Sequence, residues 1–274
     1  MNNSEILEQV RRALNFTNGA TVTRLTSGSI NHVYRITDPV GEVPWTNEYT
    51  DVVVKWLGED RFSGVERTYQ FGLQQQLFLH KVAPKPLWIS DDERIWVEVW
   101  QNNDTVQPLT PAELARVLSH IHGLPVTARP LNLATRWQHY NTVCNLSSGD
   151  DLYSQVQSLY QAVISSELEK NDLVLCHNDL LSNHVLSQKG GDPMVIDWEY
   201  AALGNRYFDL ASCSLINQFG EGETIELVEE YCSHMNIAED EAREKFSNHS
   251  KIVSTTNALW LEALSVSTLN THTE

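Results

Sequence analysis

The order of predicted elements gives an α+β fold in two lobes. Three observations carry it. The first hundred residues are strand-rich, with a helix after the third strand. A polar break, Gln101-Asn102-Asn103-Asp104, then interrupts the pattern. The remainder is mainly helical but holds one strand–loop–strand segment that carries two carboxylates. The expected boundaries are a strand-rich lobe over 1–100, a hinge over 101–104 and a helical lobe over 105–274. A chain of 274 residues is long enough to bury a sizeable core in this arrangement.

Each element has a local reason. Residues 4–14 predict an amphipathic helix, capped by Ser4, with Ile6, Leu7 and Val10 on one face. Thr21 to Leu25 and Val33 to Ile36 predict two strands, and Val52 to Leu57 a third. The pattern Ser63-x-x-Glu66 predicts a capped helix running towards His80. Arg94 to Trp100 alternates as a strand does. The clearest helix starts at Thr110, with Pro111 in its first position and Glu113 completing a capping box. Leu114, Val117, Leu118 and Ile121 form its apolar face, and Gly123 then Pro125 end it. Residues 150–169 predict another helix, and residues from about 205 to 270 are expected to be mainly helical.

Composition narrows the function. Acidic residues outnumber basic ones 36 to 19, for a net charge of −17, which disfavours nucleic acid and anionic membranes as partners and suits a cationic substrate. Cys144, Cys176, Cys213 and Cys232 show neither CxxC nor disulfide-framework spacing, which fits a reducing cytoplasm. No signal-peptide pattern or membrane-length apolar run is visible.

The chemistry concentrates in two motifs. Asp179 follows the apolar run Leu173-Val174-Leu175, and Asp197 follows Met194-Val195-Ile196. This predicts two carboxylates at the mouths of neighbouring strands. One can take a proton from a hydroxyl while the other holds a hard cation such as Mg²⁺, as phosphoryl transfer from ATP requires. His177, two residues before Asp179, supports that reading. Lys55 lies inside the run Val52-Val53-Val54-Lys55-Trp56-Leu57 and needs a partner for its charge. Glu66 is the candidate, although Ser63-x-x-Glu66 also fits a capping box. The turn Ser27-Gly28-Ser29 could cover phosphates with its N–H groups or simply reverse the chain. Asp209 opens a helix, and its expected role is to brace the catalytic loop. His120 and His122 point to different helix faces and read as structural.

Taken in the order Ser27-Gly28, Lys55, Glu66, His177-x-Asp179, Asp197, Asp209, the chain resembles the choline kinase and aminoglycoside phosphotransferase superfamily, with its bilobal protein-kinase-like fold. Ile196-Asp197-Trp198-Glu199-Tyr200-Ala201 followed by Arg206-x-Phe208-Asp209 is similar to choline and ethanolamine kinases, and bacterial thiamine kinases share Asp-Trp-Glu-Tyr-Ala. The resemblance implies an ATP-dependent kinase of a small cationic alcohol, of the choline, ethanolamine or thiamine type. It places ATP and Mg²⁺ between the lobes, with Ser27, Gly28 and Ser29 over the phosphates and Lys55, positioned by Glu66, neutralising them. Asp179 would orient and deprotonate the hydroxyl, Asp197 would hold the metal, and His177 and Asp209 would support the loop. Glu199, Tyr200, Tyr207 and Trp260 are candidates to receive the positive group of the acceptor. One departure stands out. The superfamily has a metal-binding Asn five residues after the catalytic Asp, where this chain has His184, with Asn183 one residue early. Either Asn183 binds, or His184 binds an ion such as Mn²⁺, or Asp197 acts alone. Two other readings remain open: an antibiotic kinase, and a catalytically impaired kinase fold that binds nucleotide.

Overall fold

The computed structural model describes residues 3–14, 16, 19–25, 32–38, 51–57, 60–103, 108–186 and 193–271. It divides into two compact units, Met1–Arg61 with Glu66–Asp104, and Phe62–Val65 with Thr105–Glu274.

The first unit is an antiparallel sheet with two helices. After α1 (Asn3–Leu14) come β1 (Thr21–Arg24), β2 (His32–Thr37), β3 (Asp51–Trp56), α2 (Arg67–Leu79), β4 (Pro86–Ile89) and β5 (Ile95–Val99). The strand order is β1-β2-β3-β5-β4. Strand periodicity sends alternate side chains to opposite faces. On one face Tyr34, Ile36, Val52, Val54, Ile95 and Val97 are buried with Ile6, Val10 and Leu14 of α1. Each aliphatic side chain so buried contributes about 1.5–3 kcal/mol. The opposite face carries Lys55, Trp96 and Glu98, with the Phe71 ring of α2 edge-on to Trp96 at 5.1 Å. Every residue of β5 is buried, so its alternation is one of chemistry rather than exposure.

The expected start of α2 at Ser63 is corrected. Asp60–Ser63 forms a 3-10 turn, Gly64 follows at φ 67°, and α2 begins at Arg67 with Glu66 as its N-cap. A left-handed residue cannot lie inside an α-helix, so Gly64 separates the two.

The second unit begins its helices with α3 (Pro111–His122), α4 (Leu133–Val143) and α5 (Asp151–Leu168). The α3 capping box forms as the sequence predicts, between Thr110 and Glu113. Next come β6 (Leu173–Cys176), β7 (Val185–Leu186), β8 (Met194–Val195) and β9 (Ala202–Asn205), then α6 (Arg206–Ile216), α7 (Glu221–Met235) and α8 (Glu239–Thr271). The strands preceding Asp179 and Asp197 are not hydrogen-bonded to each other: β6 pairs with β9, and β7 with β8. The long α8 is tied to its neighbours by polar bonds, Trp137 Nε1 to Thr256 Oγ1 (2.8 Å) and Ser166 Oγ with His249 Nε2 (2.7 Å). Among the described residues no helix is long and apolar enough to cross a membrane.

Candidate active site

The loop after β6 is held in place by α6. Asp209, fully buried in the first turn of α6, accepts the N–H of His177 and of Asn178, both at 2.7 Å. His122 Nε2 lies 3.1 Å from the same carboxylate and its Nδ1 2.7 Å from the Tyr231 hydroxyl. Ser212 Oγ donates to the Asn178 carbonyl (2.9 Å), and Asn217 accepts from the Ser182 N–H while donating to the Leu180 carbonyl. Asn178 and Asp197 both adopt left-handed backbone, at φ 65° and 69°. Such conformations persist only where surrounding bonds hold them. The side chain of Asn178 supplies one, donating to the Tyr200 carbonyl at 2.9 Å.

His177 is a buried connector. Its Nε2 donates to the Ile196 carbonyl (3.1 Å), its Nδ1 accepts from the Asp179 N–H (3.3 Å), and its ring packs on Trp198. Burial, then the neighbouring His184, pushes its pKa down to about 4, so the ring is neutral at pH 7.

Asp179, His184 and Asp197 converge. One ligand atom from each lies within 4.8 Å of the other two. Burial, then the charges of Asp197, Glu199 and Asp209, raises the Asp179 pKa well above the usual carboxylate range. His184 donates from Nδ1 to the Asp179 carbonyl at 2.9 Å, since a carbonyl only accepts. In the neutral ring this leaves a lone pair on Nε2, 3.5 Å from Asp197 Oδ2. Two lone-pair atoms facing each other are reconciled by a cation between them, a proton or a metal ion. Asn183, in the 3-10 turn beside His184, is exposed.

Of the acceptor candidates, the structure joins two. Trp260 Nε1 donates to the Tyr200 hydroxyl (3.2 Å), and the Phe62 ring lies 5.8 Å from that of Trp260. Glu199 stands beside Tyr200 in the 3-10 turn after Asp197. Tyr207 does not join them. It is 1% exposed, with the Lys245 ammonium over its ring and His249 alongside. Its place in the first turn of α6 turns it into the helical core, and burial pushes its pKa up to about 12.

In the first unit a carboxylate that the sequence did not single out lies beside Lys55. Lys55 Nζ lies 3.4 Å from Glu98 Oε1, whereas Glu66 is exposed at the cap of α2. Because α2 starts at Arg67, Glu66 precedes the helix, and its buried face is built from Arg67, Gln70, Leu73, Gln74 and Leu77. Ser27, Gly28 and Ser29 lie outside the described residues. The sequence reading missed Glu98, Ser212, Asn217 and Tyr231. Only Glu98 carried a signal, as an acidic residue inside an apolar strand.

The carboxylates of the cluster are fit to hold a divalent cation, and the imidazole nitrogen tilts the set from Mg²⁺ towards ions that accept nitrogen.

The profile of APH, the phosphotransferase enzyme family, matches residues 73–246. The protein LicA homologue of Mycoplasma capricolum is 25% identical over 155 residues, covering 54% of this chain and 63% of that relative. The choline kinase LicA of Streptococcus pneumoniae superposes with a TM-score of 0.69 at 19% identity, over 95% of this chain and 89% of that one. The ADP-bound aminoglycoside phosphotransferase APH(2'')-Ib gives 0.55 at 15% identity, over 97% and 99%. The two structural likenesses show the kinase-like fold, with its strand-rich N-terminal and helical C-terminal parts. With the family profile spanning well over half of its length, this chain belongs to the phosphotransferase enzyme family.

Proposed function

We propose that this protein transfers the γ-phosphoryl group of ATP to the hydroxyl of a small cationic alcohol of the choline, ethanolamine or thiamine type. The observation that carries the reading is the convergence of Asp179, His184 and Asp197. In this reading the strand-rich unit takes the nucleotide and the helical unit takes the acceptor. Lys55 neutralises phosphate charge. Asp197 and His184 hold the divalent ion, which supplies charge neutralisation for the transferring phosphoryl group. Asp179 accepts a hydrogen bond from the acceptor hydroxyl, orients it and receives its proton. Burial and the neighbouring carboxylates favour the protonated form of Asp179, so the group holds the proton it receives. Tyr200, Trp260 and Glu199 offer aromatic faces and a carboxylate, the chemistry that receives a quaternary or primary ammonium group. The structural likeness to the choline kinase LicA of Streptococcus pneumoniae agrees with this acceptor class.

The test is ADP release from ATP with Mg²⁺ and with Mn²⁺, across choline, ethanolamine, thiamine and an aminoglycoside, with Asp179→Asn as control. Turnover on one cationic alcohol, abolished in the control, is the expected result. Turnover on the aminoglycoside alone would replace the acceptor class. His184 favours one second reading, a kinase fold that binds nucleotide without transfer. ATP binding with no turnover on any acceptor, with either ion, would support it.

A further inference from the structure

We propose that Glu98 is the positioning residue for Lys55, so that the phosphate-facing lysine is anchored by a neighbouring strand rather than by a carboxylate from α2. The proposal rests on the role given to Lys55 above. Register fixes the geometry. In the antiparallel β3–β5 pair Lys55 stands opposite Trp96, and Val53 opposite Glu98. Lys55 and Glu98 are therefore diagonal neighbours on one face, within reach of long side chains.

The two oxygens of Glu98 have separate tasks. Oε1 faces Lys55 Nζ at 3.4 Å. Oε2 accepts from Trp96 Nε1 (3.0 Å) and from Gln74 Nε2 (2.9 Å). Gln74 is itself buried and its Nε2 also lies 3.1 Å from the Pro84 carbonyl. Two neutral donors thus fix the rotation of the carboxylate and aim its other oxygen at the ammonium. The side chains are 14% and 3% exposed, so the pair is only weakly screened by water and salt. A carboxylate this buried needs its positive partner, and the ammonium is held where the strand pairing puts it. Helix α2 contributes the neutral amide of Gln74 to this arrangement. A shift of α2 would loosen the aim of Glu98 without removing the charge that holds Lys55.

The experiment compares Glu98→Gln with the wild type in the full chain. Two quantities are read: the KM for ATP against that for the acceptor, and the rate at which an amine-reactive reagent labels Lys55, followed by mass spectrometry without nucleotide. The expected result is a KM for ATP raised at least tenfold, an acceptor KM within about twofold, and Lys55 labelling faster by several-fold. Unchanged labelling, or an unchanged KM for ATP in an active enzyme, overturns the proposal. So does a Glu66→Gln variant that shows both defects when Glu98→Gln shows neither. Because labelling needs no turnover, an inactive wild type defeats the functional reading while leaving this test intact. Should Glu98→Gln fail to fold, Gln74→Leu removes one donor and keeps the charge, and its labelling rate must rise in the same direction.

Discussion

At the scale of single residues, Asp179 sits in an environment that opposes its own ionisation. The carboxyl is largely desolvated, and Asp197, Glu199 and Asp209 all add repulsion. A carboxylate whose folded pKa lies above its unfolded value contributes stability that is present below the unfolded value and lost as pH rises through the folded one. Asp179→Asn should therefore abolish transfer yet raise the melting temperature at neutral pH, and flatten its decline with rising pH. Parallel melting curves for the two proteins between pH 4 and 9 would contradict this. His184 leads to a second expectation. Replacing it with Asn removes the nitrogen donor and restores an oxygen, so Mn²⁺ affinity should fall relative to Mg²⁺. Paramagnetic resonance of bound Mn²⁺, with Mg²⁺ as competitor, measures the ratio directly, and an unaltered ratio would take His184 out of the metal site. Asp179 and Asp197 were legible because each closes a short apolar run. Glu98 was not, because the partner of Lys55 depends on strand register, which links residues forty-odd positions apart.

Among the elements, α6 is the platform on which the loop carrying Asp179 rests. Asp209, Ser212 and Asn217 each bind loop backbone, at residues 177–178, 178, and 180 with 182. Asn217→Ala removes a donor and an acceptor together and leaves loop groups to find new partners. It should cost about 1–3 kcal/mol in stability and lower kcat more than the KM for ATP. Urea denaturation and steady-state kinetics give both numbers, and a loss confined to stability would make Asn217 a mere helix end. The legibility of elements followed their local signals. Helix α3 was readable end to end from Thr110, Pro111, Glu113 and Gly123. Helix α4 went unread because its cap, Asn132, is left-handed and makes no side-chain cap bond, and its buried positions are only Leu133, Trp137 and Tyr140. The two-residue strands β7 and β8 are too short for any periodicity to register. Helix α2 was placed too early because Ser63-x-x-Glu66 matches a capping box that the left-handed Gly64 forbids.

For the whole molecule, the two units do not follow the chain in one cut. The four residues Phe62–Val65 belong with 105–274 although they lie between β3 and α2 in sequence. Within that unit His139 Nε2 donates to the Phe62 carbonyl at 2.8 Å, and the Phe62 ring, 6% exposed, packs near Trp260. The sequence suggested a simple division at 101–104, since a polar break is visible locally and a borrowed segment is not. A polypeptide beginning at residue 105 would expose the surface that Phe62 covers. It should be less soluble and melt lower than the same unit within the full chain, and a fragment equal to the full chain in both respects would show the segment to be dispensable. The borrowed segment also works as a built-in fastener: a single protease nick after residue 104 leaves 62–65 attached to the first fragment and packed in the second. Severed halves would then elute from a sizing column as one species until a denaturant frees them.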